Sequence, residues 1–252
     1  MRNLLFTAAF DGSAFHGWQQ QKNASSVQET VKNAVSSLTG EKVSVTGCSR
    51  TDAGVHAKQY CFNFKTDSTI PESGFVPALI TRFPRELAVF DCKRVREDFN
   101  ARFDCRKKEY EYVIYNEKIM SPFLYRYAYH YRFFLDEELL NRASKEFIGT
   151  YDFSAFCASG AQVVSKVRTV YDASVRREGE KVIFKVSGDG FLYNMVRIMA
   201  GTLIGVNEKK IACENIKSII EEKDRTRAGV TLPPQGLYLN RVFYGGDIYE
   251  EA

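Results

Sequence analysis

The spacing of apolar and polar residues over the first hundred positions predicts strands that alternate with helices. The predicted strands cover residues 3–10, 42–47, 59–65 and 87–95. Ser26 and Glu29 have the spacing of a capping box, which predicts an amphipathic helix that ends near Gly40. A second helix is predicted between Pro71 and Pro84. The resulting order, β-α-β-β-α-β, is typical of helices packed on a sheet.

The second half of the chain continues with strands and helices. The predicted strands cover residues 107–116, 127–133, 167–188 (a hairpin that turns at 178–180) and 236–244. Asp136 can cap a helix that ends near Gly149, and residues 213–223 predict a surface helix. Residues 191–206 are apolar on nearly all sides of a helix, which indicates a buried helix.

A short repeat relates the two halves. The pattern Asp-x-Ser-Ala-Phe occurs at residues 11–15 and again at 152–156, in comparable positions relative to the predicted elements. The repeat favours two similar α+β halves, residues 1–104 and 105–252, with a cleft between them.

Composition excludes some classes of protein. Among the 252 residues, 44% are hydrophobic and 26% are charged, which is ordinary for a soluble globular protein. No apolar run approaches the roughly 20 residues of a membrane span. The six cysteines form no CxxC pair and the three histidines are scattered. These features predict a cytoplasmic protein with reduced thiols, no metal and no membrane association.

Charge leaves two alternatives open. The net charge of +4, from 35 basic and 31 acidic residues, is weak support for an anionic partner. Basic and aromatic residues interleave over 92–112 and 125–133. Such a surface could hold phosphates and stack bases. The alternative is an edge strand whose aromatic side chains face a core.

Candidate chemistry lies in residues 47–57, GCSRTDAGVHA. Gly54 disfavours a helix, and Asp52 with Gly54 disfavours a central strand, so this stretch is predicted to be a loop. Arg50 would keep the Asp52 carboxylate ionised, ready to act as a nucleophile, a base or a substrate anchor. The alternative is a structural ion pair that fixes the loop. His56 is interpreted as a hydrogen-bond partner that braces the loop.

The stretch SRTDAGVHA resembles the catalytic motif of tRNA pseudouridine synthases of the TruA family. Further stretches resemble this family in the family's order and extend the resemblance over nearly the whole chain: DGSAFHGWQQQ, SVQETV, FNARFDCRKKEYEYVIYN, GTYDFSAF, VRTV, GDGFLYNMVRIMAGTLIGVN and LPPQGLYLNRVFY. A motif of this length, with seven more stretches in register, is highly specific.

The resemblance implies roles for individual residues. Asp52 falls on the catalytic aspartate, and Arg50 on the arginine that pairs with it and helps to hold the target nucleotide out of the stack. Tyr110 falls on the tyrosine that stacks on the target uracil, and Arg197 on a second basic residue of the active site. Tyr112, the next tyrosine along, is more typical of packing.

The resemblance also implies the fold, substrate and assembly. The fold would be α+β, with two similar halves that share a mixed, largely antiparallel central sheet. Helices would cover one face, and a basic RNA-binding cleft would lie on the other. The enzyme would need no cofactor, form a homodimer and isomerise uridines 38–40 in the anticodon stem-loop of tRNA.

The sequence departs from the family's pattern at several positions. Gln59 and Tyr60 stand where the family usually has Gly-Gln, and Tyr151 stands where it often has histidine. Cys48 and Ser49 precede Arg50 where small residues are common. Two alternatives therefore stay open: a divergent paralogue that modifies another uridine of tRNA or structured RNA, and a non-catalytic RNA-binding or chaperone module.

Overall fold

The computed structural model describes residues 1–160 and 163–249, which fall into two units. Unit 1 comprises Met1–Arg106 and the described residues from Leu239 onward. Unit 2 comprises Lys107–Tyr238. Residues 1–104, the predicted first half, lie in unit 1, and the C-terminal residues from Leu239 lie there too rather than with the predicted second half.

The elements of the described chain follow the predicted order closely. The strands are β1 (Arg2–Phe10), β2 (Thr46–Gly47), β3 (His56–Thr66), β4 (Leu87–Val95), β5 (Lys107–Tyr115), β6 (Tyr129–His130), β7 (Gly149–Asp152), β8 (Val167–Glu178), β9 (Lys181–Gly188) and β10 (Leu237–Phe243). The helices are α1 (Val27–Thr39), α2 (Glu72–Ile80), α3 (Glu137–Lys145), α4 (Met195–Asn207) and α5 (Asn215–Glu222). None of the helices in the described residues is long and apolar enough to cross a membrane.

Unit 1 is built on an antiparallel sheet. β1 pairs with β3 on one side and with β4 on the other. β2 also pairs with β3, and β10 follows β3 in the strand order. Phe6 of β1 lies opposite Phe62 of β3, with ring centroids 5.1 Å apart and the ring planes 6° from parallel. Phe64 lies at the same distance from Phe6 on the next position of that face. Cross-strand aromatic pairs of this kind fix the register of the sheet.

The helix signals of unit 1 act as predicted. The Ser26 hydroxyl accepts a hydrogen bond from Glu29 N at 3.3 Å, and Gly40 ends α1 with a φ of 73°. Glycine adopts this left-handed conformation without steric cost, so it is suited to the end of a helix. The predicted helix from Ser26 to Gly40 is therefore confirmed, as is the β-α-β-β-α-β order.

The strands of unit 2 also pair largely in the antiparallel direction. The strand order is β5-β9-β8-β7, and all of these neighbours are antiparallel. β6 pairs with β5 in the parallel direction, so the pairing is mixed but largely antiparallel. The hairpin of β8 and β9 turns at Gly179, and α4 is buried on nearly all sides, as predicted. The α+β class is confirmed.

Three predicted boundaries are wrong for local reasons. Of the predicted strand 42–47 only the last two residues pair, although Val43 and Val45 are still buried. Of the predicted strand 127–133 only Tyr129–His130 pair, because Arg132 and Phe133 are exposed beyond them. The helix after Asp136 ends at Lys145, since residues 149–152 form β7.

The repeated pattern builds the same turn in each unit. Asp11 follows β1 and its Oδ1 accepts a hydrogen bond from Ser13 N at 2.9 Å. Asp152 ends β7 and its Oδ1 accepts from Ser154 N at 3.0 Å. A short 3-10 helix follows each aspartate. The sequence repeat thus corresponds to a repeated local structure.

Candidate active site

Asp52 lies in the loop of residues 48–55, which joins β2 to β3 in unit 1. The Asp52 side chain is half-buried, Arg50 is exposed and Thr51 between them is buried. Val55 N donates a hydrogen bond to the Asp52 carbonyl at 3.2 Å, and Gly54 has a φ of 77°. This closed turn explains why the sequence has glycine at 54. The predicted loop is confirmed.

The segment of residues 11–18, here called the first loop, holds the Asp52 loop through its backbone. Trp18 N donates to the Thr51 carbonyl at 3.1 Å, and Gly54 N donates to the Phe15 carbonyl at 3.4 Å. Gly17 has a φ of 90°, and a Cβ there would lie 2.5 Å from the Thr51 carbonyl oxygen. The two loops therefore approach so closely at this point that only glycine fits.

His56 fixes the far end of the Asp52 loop. Its side chain is buried, and its Nδ1 accepts a hydrogen bond from Gly12 N at 3.1 Å. The same nitrogen lies 3.2 Å from Asp11 Oδ1. A Cβ on Gly12 would lie 2.1 Å from the Val55 carbonyl oxygen. His56 thus braces the loop, as the sequence predicts.

Tyr110 lies on β5 in unit 2, opposite Val186 of β9. Only 6% of the residue is exposed, and its ring meets Phe191 edge to face, with centroids 5.1 Å apart and planes at 77°. The residue is thus packed rather than openly displayed. A base could use the full face of this ring only after a neighbour moved. Sequence reasoning did not single out Phe191, which follows Asp189 and Gly190 in a polar turn.

Tyr112, the next tyrosine along β5, is a packing residue. It is fully buried, and its hydroxyl donates to the Pro233 carbonyl at 2.7 Å. Burial raises the pKa of Tyr112 well above its ordinary value, so its phenol stays neutral. This confirms the interpretation of Tyr112 as a packing residue.

Arg197 lies in the first turns of α4 in unit 2 and is held in one orientation. Its Nε donates to the Leu232 carbonyl at 2.7 Å, and its Nη1 donates to Asn194 Oδ1 at 2.6 Å. Asn194 precedes the helix with a φ of 61°, a conformation that asparagine tolerates better than most residues. Leu232 lies 35 positions further along the chain, so local patterns could not indicate this partner.

The segment that supplies the Leu232 carbonyl is itself held against α4. Arg225 donates to the Gly229 carbonyl at 2.9 Å and to Thr231 Oγ1 at 3.0 Å. Burial lowers the pKa of Arg225 from its ordinary value. A Cβ on Gly201 of α4 would lie 1.9 Å from the Val230 carbonyl oxygen. This close approach keeps the Leu232 carbonyl in reach of Arg197.

The predicted site residues therefore fall in two places. Arg50 and Asp52 lie on one loop of unit 1, and Tyr110 and Arg197 lie in unit 2. Within unit 2, Tyr110 contacts Phe191 and Arg197 contacts the start of α4 and Leu232.

The described residues offer no group of three or more His, Cys, Asp or Glu side chains that could hold a metal ion. All six cysteines are thiols. Burial raises the pKa of both Cys61 and Cys92 to about 12, so neither would be a thiolate nucleophile at neutral pH.

Comparison with known proteins gives a consistent answer. The family model described as tRNA pseudouridine synthase matches residues 7–104 and 143–245. These two stretches include Arg50, Asp52 and Arg197, while Tyr110 lies between them. Among solved structures, a chain of a Cbf5-Nop10-Gar1 complex is similar with a TM-score of 0.36 and 13% identity, over 79% of this chain and 43% of that one. That likeness is too weak to bear on function.

Curated relatives match along their whole length. The tRNA pseudouridine synthase A of Clostridium acetobutylicum is 45% identical over 244 residues, which are 97% of this chain and 100% of the relative. The protein of the same name from Acetivibrio thermocellus is 47% identical over the same shares of the two chains. On the strength of the family model and of these full-length relatives, the chain belongs to the tRNA pseudouridine synthase family.

Proposed function

We propose that this protein is an isomerase that converts uridine to pseudouridine at positions 38–40 in the anticodon arm of tRNA, in the cytoplasm. The observation that carries the proposal is the placement of Asp52. It is half-buried on a loop whose backbone is held at Thr51 and Gly54 by the first loop, and the His56 ring holds the residue that follows the loop. A carboxylate so restrained can meet a substrate atom in a fixed geometry.

The reaction rearranges one nucleoside and needs no redox step. The bond between C1′ and N1 of uridine breaks, the uracil turns and C5 bonds to C1′; the proton on C5 is then lost to solvent, and N1 takes up a proton. Asp52 would either attack C1′ and form a covalent adduct or remove a proton from the sugar. Both routes use the carboxylate alone, so the proposed reaction requires neither a metal nor an organic cofactor.

The other site residues would handle the nucleotide that carries the uracil. An enzyme that acts on a base must take it out of the helix stack. Arg50 is exposed, so its guanidinium can occupy the space that the nucleotide leaves or pair with its phosphate. Arg197 has a guanidinium that is oriented by two protein acceptors, which suits it to contact an anion. Tyr110 would supply a ring face for the displaced uracil.

Release of tritium from tRNA labelled at C5 of uridine tests this function directly. We expect release with the purified protein and no added cofactor, and pseudouridine mapped at positions 38–40. Binding of tRNA without release would instead identify a non-catalytic RNA-binding module. Release with pseudouridine mapped at another position would identify a paralogue of different specificity.

RNA binding should weaken steeply as salt rises. Exposed basic side chains on β4 and the segment after it are available for phosphates: Lys93, Arg94, Arg102 and Arg106. If about five basic residues contact phosphates, the plot of log K against log salt should have a slope of roughly −3 to −5. Titration of tRNA by fluorescence anisotropy at several salt concentrations measures it. A flat response would contradict binding through phosphates. The substitution Arg102→Gln should reduce the magnitude of the slope by about one, because it removes one phosphate contact.

We also propose that the protein forms a homodimer through unit 2. Support comes from the segment of residues 119–134, here called the aromatic segment, whose large apolar side chains are exposed: Ile119, Phe123, Tyr125, Tyr127, Phe133 and Phe134. Phe123 is 85% exposed and Ile119 is 82% exposed. Apolar groups clustered in this way on a surface are typical of an interaction site.

Light scattering after size exclusion tests the dimer. We expect a mass about twice the 28.7 kDa of the chain. The double substitution of Phe123 and Phe134 by serine should shift the protein to the monomer. Phe90→Ser, at an exposed phenylalanine of unit 1, should leave the dimer intact. A wild-type mass equal to one chain at micromolar concentration would refute the proposal.

A further inference from the structure

Tyr60 is one of the positions at which the sequence departs from the family's pattern, and it is buried. It lies on β3 opposite Ala8 of β1, with 0% of its surface exposed. Its hydroxyl donates to the Ser49 carbonyl and accepts a longer hydrogen bond from Ser49 N at 3.4 Å. One hydroxyl therefore contacts both backbone polar groups of a residue at the start of the Asp52 loop.

The Tyr60 ring has little freedom, so its hydroxyl is fixed in direction. Trp18 stacks on it with centroids 4.3 Å apart and planes at 25°, and Phe10 packs at 5.4 Å. A Cβ on Gly47 of β2 would lie 2.3 Å from the Tyr60 hydroxyl oxygen. Glycine at 47 thus leaves room for the hydroxyl beside the strand that leads into the loop.

The two stacked residues together hold the loop on both sides of Arg50. Tyr60 holds Ser49 through its hydroxyl, and Trp18 holds Thr51 through its backbone N–H at 3.1 Å. Thr51 is the residue before Asp52. The direction of both functional side chains on the loop therefore depends on two anchors that belong to a single aromatic stack.

We propose that Tyr60 is a positioning residue for Asp52 and Arg50, acting through the Ser49 peptide. This inference rests on the proposed function, because it assigns the loop to the same reaction. The departure at 60 then concerns the geometry of the catalytic loop rather than the choice of uridine, since a side chain with no exposed surface does not touch RNA. A misplacement of about 1 Å in a catalytic group can slow a reaction by roughly 10²-fold.

Tyr60→Phe is the decisive variant, because it removes the hydroxyl and keeps the aromatic stack. We expect kcat to fall by about tenfold or more, with the KM for tRNA and the modified positions unchanged. Gly47→Ala should also lower kcat, because a Cβ at 47 would lie 2.3 Å from the Tyr60 hydroxyl oxygen and 2.4 Å from the Trp18 ring, so it would displace both members of the stack that anchors the loop. Hydrogen–deuterium exchange should increase at residues 48–52 in both variants, while β1 and β3 stay protected.

Tyr244→Phe is the matched control. Tyr244 belongs to unit 1, and its hydroxyl donates to the Ala101 carbonyl at 2.7 Å. Each phenylalanine variant removes a hydroxyl that donates a hydrogen bond to a backbone carbonyl, so the melting temperature should fall in both. Only Tyr60→Phe should lose kcat, measured well below its melting temperature.

Three outcomes would overturn the inference or its basis, and they are distinct. If Tyr60→Phe and Gly47→Ala keep wild-type kcat, Tyr60 only packs. If KM rises at constant kcat, or the modified positions change, Tyr60 acts on RNA binding instead. If the wild-type protein releases no tritium at all, the proposed function itself fails, and the position of Tyr60 has no bearing on that result.

Discussion

Asp52→Asn should reduce isomerisation by at least about 10⁴-fold, because the carboxylate is the group that would attack the sugar or remove its proton. Asparagine keeps the size and much of the hydrogen bonding of aspartate, so the loop should retain its contacts with Trp18 and Phe15. We therefore expect the melting temperature and the affinity for tRNA to stay close to wild type. Single-turnover tritium release on saturating tRNA measures the loss.

Asp67→Asn is the matched control for the change in charge. Asp67 also belongs to unit 1 and lies at the surface, where it pairs with the N-terminal amine at 3.0 Å. Each variant removes one negative charge, and either could tighten RNA binding slightly through that effect alone. Only Asp52→Asn should stop turnover. Turnover within tenfold of wild type in Asp52→Asn would remove this carboxylate from the chemistry.

Local signals account for what the sequence predicted well. A helix such as α1 is determined largely by neighbouring residues: Ser26 supplies the cap, and Gly40 supplies the left-handed residue at its end. The Asp52 loop was predictable for the same reason, because Gly54 disfavours a helix and Asp52 with Gly54 disfavours a central strand. Boundaries that depend on a distant partner were harder. Residues 42–45 alternate like a strand, yet pairing with β3 begins only at Thr46.

The environment of the site residues was beyond local reasoning. Alternation along β5 indicates which residues share a face but not what covers that face, so the packing of Tyr110 on Phe191 could not be foreseen. Likewise, the carbonyl that orients Arg197 belongs to Leu232, 35 positions along the chain. The role of Tyr60 was also hidden, because its partner Ser49 lies on the other side of the loop.

Tyr110 is the site residue at which binding of the uracil would require a change in the surrounding side-chain contacts. Its ring is 6% exposed and meets Phe191 edge to face. If the uracil stacks on Tyr110, it must replace contacts that Phe191 or another neighbour now makes. Stacking of a base on an aromatic ring contributes roughly 1–3 kcal/mol per base, which is enough to offset the loss of one edge-to-face pair of about 0.5–1.5 kcal/mol.

Two substitutions at Tyr110 should separate its ring from its hydroxyl. Tyr110→Leu removes the ring, so we expect weaker tRNA binding and slower turnover together. Tyr110→Phe keeps the ring, so binding should be normal. Turnover should still fall at least about tenfold if the hydroxyl moves a proton during the reaction. Tyr115, on the same strand and also 6% exposed, is the control, and Tyr115→Phe should keep wild-type turnover. Should Tyr110→Leu bind and react like wild type, Tyr110 would be a packing residue of β5, and the uracil must stack elsewhere.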